Sequence, residues 1–353
     1  MHRAPTPWRR RVPSVRRTAR TLARDLDATT VRVLSAGGRS TAPLAARWDR
    51  VMLRHRMRQA LGYDPRLEHP RTYNEKLAWR ILHDPNPLLR LTTDKVAVRD
   101  YVADRVGADV LIPLLGVHDD VDELSWDDLP PQFVLKASHG CEMTEVVGDK
   151  RAVDPGPILA AARSWLRRDY YEFSHERVYR GLPRRVIVET LLADDDGGQP
   201  ADFKFLVFGG RVALIRVHSD RFGDHRVNFF DAGLRPLDLG QVYREREGMH
   251  MPAQAQELLT VAEKLGQGFD YARIDLYLAG GRVWFGEITH HDGNACAPWR
   301  PAEMDRALGD LWRLPADATG TAPDAGADVP SLDEAWARFD TLVAGLRDQT
   351  VDC

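Results

Sequence analysis

Two stretches of this chain leave few folds open: "ADFKFLVFGGRVALIRVHSD" (residues 201–220) and "YARIDLYLAGGRVWFGEIT" (residues 271–289). Each is a pair of long apolar runs, rich in β-branched and aromatic residues, that turns back at a Gly-Gly pair. Each therefore reads as a β-hairpin. "LIPLLGVHD", "QFVLKASHG", "RRVIVETLL" and "VNFFDAGLRPL" read as further strands. Between them lie segments of helical period. "LAARWDRVMLRHRMRQALG" stops at Gly62, "TYNEKLAWRIL" opens with the capping-box pattern Thr72-x-x-Glu75, and "TTDKVAVRDYVADRVG" reads as one helix ending at Gly107. "DPGPILAAARSWLRRDYY" has Pro in its first turn, and "SLDEAWARFDTLVAGLRD" opens on Ser331 with Glu334 three residues later. "PAQAQELLTVAEKLGQG" and "EMDRALGDLWRLP" complete the helical set. Antiparallel hairpins mixed with helices indicate an α+β fold rather than a doubly wound parallel sheet.

The second hairpin carries two carboxylates that a plain apolar hairpin has no use for. Alternation along a strand puts Arg273, Asp275 and Tyr277 on one face, and Phe285, Glu287 and Thr289 on one face of the next strand. A three-residue connection, Gly280-Gly281-Arg282, sets Asp275 across from Glu287 with Cβ atoms ~5 Å apart. A two-residue Gly-Gly turn sends the two acids to opposite faces instead. Like charges that close force one acid to protonate, unless a cation lies between them. Oxygen-only ligands on a sheet suit Mg2+, which usually also takes phosphate oxygens. The plain alternative is a carboxylate pair satisfied by arginines on a solvated face.

The bulk properties exclude some classes. The chain has 353 residues, enough for two subdomains, with 43% hydrophobic and 29% charged residues as in ordinary soluble proteins. A net charge of −3 gives no global pull toward nucleic acid. The arginine-rich segment "RAPTPWRRRVPSVRRTARTLAR" has no acid before Asp25 and no apolar run after it. It reads as a mobile arm, or a segment able to touch an anionic membrane surface, rather than a secretory signal. No run approaches the ~18 apolar residues of a spanning helix. Cys141, Cys296 and Cys353 show no metal or disulfide spacing, which fits a reducing cytoplasm.

Taken singly, Lys95, Lys136 and Glu189 are ordinary charged residues, and Lys204, alternating with Phe203 and Phe205, faces away from one aromatic layer. Their order says more: Lys95, then the strand of Lys136 leading into "ASHG", then a strand ending in Glu189-Thr-Leu-Leu, then Lys204, then Arg273-x-Asp275 with Glu287-x-Thr289. This resembles the ATP-grasp superfamily. Seven motifs in order, "TYNEKLAWRIL", "DKVAVRDYV", "LIPLLGV", "PPQFVLKASHG", "DFKFLVFGG", "SDRF" and "ARIDLYL…VWFGEIT", resemble its TupA-like group over roughly residues 70 to 315.

The resemblance implies two α+β subdomains clasping ATP, with helical extensions at both ends. The corresponding division is a basic arm (1–45), a helical N-terminal region (46–128), a small subdomain (129–195), a large subdomain with the metal site (196–315), a linker (316–330) and a C-terminal helix (331–353). It implies that Lys95 and Lys136 contact ATP phosphates, with His139 and Gly140 in the phosphate loop. Glu189 and the Leu191–Leu192 backbone would hold the ribose and adenine edge, and Lys204 would approach from the large subdomain. Asp275, Glu287 and Thr289 would hold Mg2+, and Arg273 would stabilise developing negative charge. Arg221, His225 and Arg226 in "SDRFGDHRVNFFD" read as a clamp for an anionic substrate. His290 and His291, adjacent on a strand, point oppositely, one into the cleft and one into solvent.

Two departures stand out. The relatives carry a glycine-rich loop after "HG", but here the loop "HGCEMTEVV" holds only Gly140. Thr289 occupies a position where many ATP-grasp enzymes have Asn. The function implied is an ATP-dependent carboxylate–amine ligase acting through an acyl phosphate, on small or glycan-linked acids and amines of cell-surface polysaccharide assembly, with no nucleic-acid partner. The alternatives are phosphotransfer to a hydroxyl and a non-catalytic nucleotide-binding relative. Asp275→Asn and Glu287→Gln are each expected to abolish turnover with the fold intact.

Overall fold

The computed structural model describes residues 42–194, 197–220, 224–240, 245, 247–316 and 329–348. The basic arm up to residue 41, Arg221, and linker residues 317–328 lie outside the described residues.

The chain enters through helices α1 (Ala42–Leu61) and α2 (Tyr73–His83). α2 starts where the capping-box pattern places it: the Thr72 hydroxyl accepts from the Glu75 amide at 3.2 Å, and the Glu75 carboxylate accepts from the Thr72 amide at 3.2 Å. The helix expected to run on to Gly107 is in fact two, α3 (Pro87–Thr93) and α4 (Val98–Val106). The interruption is Asp94, whose carboxylate accepts from the Val96 amide at 2.8 Å. A short acid bonding its own backbone competes with the helical ladder, and here it wins. Lys95 sits in the break.

Strands β1 (Leu114–His118), β2 (Phe133–Ala137) and β3 (Thr144–Val147) follow, then α5 (Pro155–Leu166), the single turn α6 (Tyr171–Ser174) and β4 (Val186–Thr190). They form a four-stranded antiparallel sheet in the order β1-β4-β2-β3. Phe133, Leu135, Ala137, Val186 and Val188 pack one of its faces against Ala162 and Trp165 of α5.

The two hairpins of the sequence reading are β5 (Asp202–Phe208) with β6 (Arg211–Ser219), and β9 (Tyr271–Ala279) with β10 (Arg282–Thr289). Together with β7 (Arg226–Asp231) and β8 (Pro236–Leu237) they make a six-stranded sheet, β10-β9-β5-β6-β7-β8, antiparallel throughout. The helix α7 (Ala255–Gly266), inserted before β9, covers one face through Leu258, Ala262 and Leu265. The opposite face is divided along its length. At one end Leu206, Phe208, Leu214, Phe229 and Tyr271 join α1, α2 and two C-terminal helices, α8 (Glu303–Leu311) and α9 (Leu332–Asp348), in a second core. Further along the same strands, the same face carries Lys204, Arg216, Arg273 and Asp275, all buried. Alternation puts these charges where apolar residues would otherwise continue the core. That is the first structural sign of a site.

Asp305, in the first turn of α8, ties that helix to the start of α2. It accepts from the Asn74 amide at 3.0 Å and its side-chain nitrogen at 2.9 Å. Burial pushes its carboxyl up to about 6, with the Asn74 bonds only partly opposing. A raised carboxyl pKa favours the folded protein below the ordinary value near 4, and this contribution is lost as pH rises through about 6. Asp305→Asn keeps an oxygen for both Asn74 donors. The wild type should lose about 2–3 kcal/mol relative to Asp305→Asn between pH 4 and pH 7. Parallel urea unfolding at the two pH values reads this difference. Equal pH dependence of the two proteins would refute the assignment.

Candidate functional site

The site begins with register. The turn between β9 and β10 is the two-residue form, Gly280-Gly281, with Ala279 opposite Arg282. That alone would part the two acids. The register then shifts between Phe285 and Glu287, so that Gly286 is absorbed as a bulge and Glu287 stands opposite Asp275. The hairpin thus combines the two alternatives: the turn is the short one, and the carboxylates still share a face. Gly286 is required sterically, because a Cβ there would lie 2.9 Å from the Asp275 carbonyl oxygen and 2.9 Å from the Tyr277 ring. Gly286→Ala should therefore cost about 1–3 kcal/mol by overpacking against backbone. Thermal unfolding checks this, and an unchanged midpoint would show that the strand absorbs the methyl group.

Arg273 organises the acids. Its Nε and Nη2 donate to Asp275 at 2.7 Å each. Nη2 also donates to Glu287 at 3.0 Å and to the Thr289 hydroxyl at 3.0 Å. Lys204 donates to Asp275 and forms an ion pair with Asp202 at 2.7 Å. Asp275 is sealed at 2% exposure, whereas the Glu287 side chain keeps 36%. Their chemistry separates accordingly. Burial raises the Asp275 carboxyl above its ordinary value against the pull of Arg273 and Lys204. Burial acts on Glu287 in the same sense, but Arg273, Lys95, Lys204 and the Thr289 hydroxyl together hold it down to about 2. The two facing acids are thus driven in opposite directions, Asp275 by burial and Glu287 by the cations around it.

Glu287 opens into a pocket between the two sheets. Phe285 to Thr289 form one wall, with Lys95, Arg99, Lys136, Tyr179 and Glu189 opposite. On β2, Phe133, Leu135 and Ala137 face the core, so Lys136 faces this pocket and reaches Glu189 at 2.5 Å. Arg99 approaches Glu189 at 3.8 Å. The helix break aims Lys95: its amide donates to the Ser138 carbonyl at 3.0 Å, and its ammonium to the Gly140 carbonyl at 2.6 Å. Ammonium and guanidinium groups thus face a low-pKa carboxylate across a gap, an arrangement able to take a polyanion together with a cation.

Five of the sequence candidates, Lys95, Lys136, Glu189, Glu287 and Thr289, line this one pocket, and Lys204, Arg273 and Asp275 lie in the buried cluster behind Glu287. The others fall elsewhere. His139 is buried just past β2, its Nε2 3.2 Å from the Trp165 carbonyl, and burial lowers its pKa. Gly140 is packed so closely that a Cβ would meet the Tyr170 ring at 2.8 Å. Leu191 and Leu192 lie beyond the end of β4, half-buried and outside the pocket lining. His225 faces His218 at 2.9 Å, and Arg226 pairs with Asp224. Both belong to the β7 end of the sheet, and the structure does not bring them to the pocket. His290 and His291 do diverge, but neither is solvated. His290 meets the Thr92 hydroxyl at 2.7 Å and His291 meets Glu176 at 2.7 Å, both buried. The stretch "TEVV" is strand β3, so the glycine-poor loop shrinks to residues 138–143, with Glu142 at φ 59°.

Sequence reasoning does not reach Asp292. It accepts from Arg216 at 2.8 Å and from the Tyr73 hydroxyl at 3.1 Å, and it also binds Arg273. Arg216 and Arg273 drive its carboxyl far below the usual range against the effect of burial. Arg216 carries a signal of the Asp275 kind, a charge inside an apolar run. Asp292, after the strand, carries none.

The donor set fits magnesium of the phosphate-bridging kind. Oxygens alone would hold it: the Glu287 carboxylate at the pocket and the Thr289 hydroxyl 2.9 Å from it, while Asp275 lies behind with both carboxylate oxygens held by Arg273 and one also by Lys204. Among the described residues no group of three or more His, Cys, Asp or Glu gathers into a full protein cage. An ion held by one or two carboxylates plus a ligand's phosphates needs none.

A family model described as TupA-like ATPgrasp matches residues 75–313, about two thirds of the chain. Among curated proteins none matches. Solved structures with a similar fold include D-alanine–D-alanine ligase from Bacillus anthracis complexed with ATP, at 14% identity and TM-score 0.37, covering 58% of this chain and 57% of that one. Another is the ATP-grasp ligase PsnB complexed with minimal precursor, at 13% identity and TM-score 0.33, covering 62% and 55%. A third is N5-carboxyaminoimidazole ribonucleotide synthetase from Thermus thermophilus, at 14% identity and TM-score 0.34, covering 62% and 50%. The chain spans about half the length of these structures.

Proposed function

The chain belongs to the TupA-like ATP-grasp family, and from that premise we propose that it is an ATP-dependent ligase joining a carboxylate to an amine through an acyl phosphate. The observation carrying this reading is the pocket between the sheets, where Lys95 and Lys136 face Glu287 and Thr289. In the proposed cycle a substrate carboxylate oxygen attacks the γ-phosphorus of ATP and the bond to ADP breaks. The amine then attacks the acyl carbon, phosphate leaves, and the amine gives up a proton. Lys95 and Lys136 bind phosphate oxygens, Lys95 exchanging its bond to the Gly140 carbonyl for a phosphate. Glu189 accepts from ribose hydroxyls, and the chain just past β4 meets the adenine edge. Glu287, with Thr289 and with Asp275 released from Lys204, would hold Mg2+, and the ion would supply positive charge to the phosphates. Arg273 and Lys204 place fixed positive charge beneath the transferred group, and the walls of the pocket keep water from the acyl phosphate.

The acid and amine are proposed to be small or glycan-linked groups of cell-surface polysaccharide assembly, handled in the cytoplasm. Among the described residues no helix is long and apolar enough to cross a membrane. The test is ADP release with Mg2+ and ATP across candidate acids and amines, with the product identified. An amide with stoichiometric free phosphate supports ligation, whereas a stable phosphoester refutes it in favour of phosphotransfer.

A second reading, nucleotide binding without turnover, is favoured by two features: Glu142 and Met143 in the loop of a glycine-rich family, and an Asp275 already held by Arg273 and Lys204. Thermal stabilisation by Mg2+ and ATP with no ADP from any acid would select it. Ligand at about 100 times its Kd stabilises by about 2.7 kcal/mol. No stabilisation at all would remove both readings.

A further inference from the structure

Away from the charged pocket, the start of β6, the turn after β7 and one face of α9 from Trp336 to Arg347 border a cavity of about 310 Å3. Three arginines from these three elements border it: Arg211, Arg235 and Arg347. Arg235 and Arg347 both hold the buried Asp231 carboxylate, at 3.2 and 2.5 Å. Arg211 lies over the Trp336 ring, 3.8 Å from its centroid, and approaches the exposed Asp340 only at 3.8 Å. The residues lining the cavity therefore carry three positive charges against two negative ones. Arg211 and Arg235 keep 53% and 60% of their side chains exposed, so their outward N–H groups are open to a ligand. Alanine and glycine at 213, 232 and 233 in the walls leave the space, and Trp336 limits the freedom of the Arg211 fork.

We propose that this cavity binds a small oxyanion, a phosphate monoester or a carboxylate, between the guanidinium forks of Arg211 and Arg235. Planar forks match both groups bidentately. Arg211 comes from the start of β6 and Arg235 from the turn after β7, so one bound anion bridges these two segments beside α9, whose Trp336 ring underlies Arg211. This site is separate from the nucleotide pocket and does not depend on the ligase reading.

Calorimetric titration of the full chain in a chloride buffer tests it, with inorganic phosphate and citrate as separate probes. Saturable binding of either is expected with a Kd of about 1 mM or tighter, and the stronger probe tells phosphate from carboxylate as the preferred source. Arg211→Gln with Arg235→Gln should weaken that binding about tenfold, whereas Lys136→Ala in the other pocket should leave it unchanged. Either single variant, at about threefold weakening, serves if the double variant does not fold. No saturable binding, or binding indifferent to both arginines, overturns the proposal. Binding lost in Lys136→Ala places the anion in the nucleotide pocket and overturns it equally.

Discussion

Glu287→Gln should lower ATP turnover by at least about 10³-fold, roughly 4 kcal/mol in the barrier, while moving the unfolding midpoint little. The amide keeps the size of the carboxylate, and an oxygen remains for Arg273 and Thr289, now at 3.0 and 2.9 Å. What it loses is an open anionic oxygen donor facing the pocket. ADP release at saturating Mg2+ and ATP, with thermal unfolding alongside, separates the two effects. Rates within tenfold of wild type would remove Glu287 from the metal site. Its depressed pKa also has a consequence for acid behaviour. A carboxylate held down to about 2 contributes stability above its ordinary value near 4.5, and that contribution is lost only as pH falls through about 2. An acid limb of activity between pH 4 and 6 therefore belongs to another group. Asp275→Asn is a different experiment from the one the sequence invited. With both oxygens on Arg273 and one also on Lys204, its charge holds the cluster together, so the variant should lose stability as well as turnover.

Asp292→Asn should be among the most destabilising single changes in the large subdomain, at about 3–5 kcal/mol. The acid is buried and serves Arg216, Arg273 and Tyr73 together. Removing its charge leaves Arg216 without its counter-ion in a low-dielectric interior. Arg216→Met in the same background should recover part of the loss, because the stranded cation is then gone. Urea unfolding of the two single variants and the double variant reads both quantities. A loss under about 1 kcal/mol for Asp292→Asn would show the arginines to be adequately paired without it.

Much of this architecture was legible where local chemistry acts alone. Thr72 with Glu75 and Ser331 with Glu334 mark helix starts because each pair satisfies amides within one turn. The Gly-Gly pairs mark both hairpins because the tight turn needs positive φ at both positions, here 55° and 82° at 209–210 and 57° and 66° at 280–281. The break at Asp94 was not legible, since a helical apolar period runs through it and only the Asp94 carboxylate turning onto Val96 decides otherwise. Charges inside apolar strands mark Asp275 and Glu287, whereas Lys204 and Arg273 stand out only through the order of the motifs. The same rule applied to Arg216 would have pointed to a buried partner, although not to Asp292, which folds back from beyond the strand. The meeting of Lys95 and Lys136 with Glu287 depends on packing one sheet near another. No spacing along the chain encodes that.

Strand β10 lies at the margin of its sheet, bridged on its outer side by Leu111 at Phe285, and its consecutive residues Phe285 to Thr289 all line the pocket. A strand seen face-on would offer only every second residue. A ligand in this pocket would meet the strand edge-on, where peptide N–H and C=O groups stand alongside side chains. Alanine scanning leaves those groups in place, so it will under-read this wall. Backbone-directed probes, such as amide-to-ester replacement or amide exchange at Ile288 and Thr289, are the measurements that will register it.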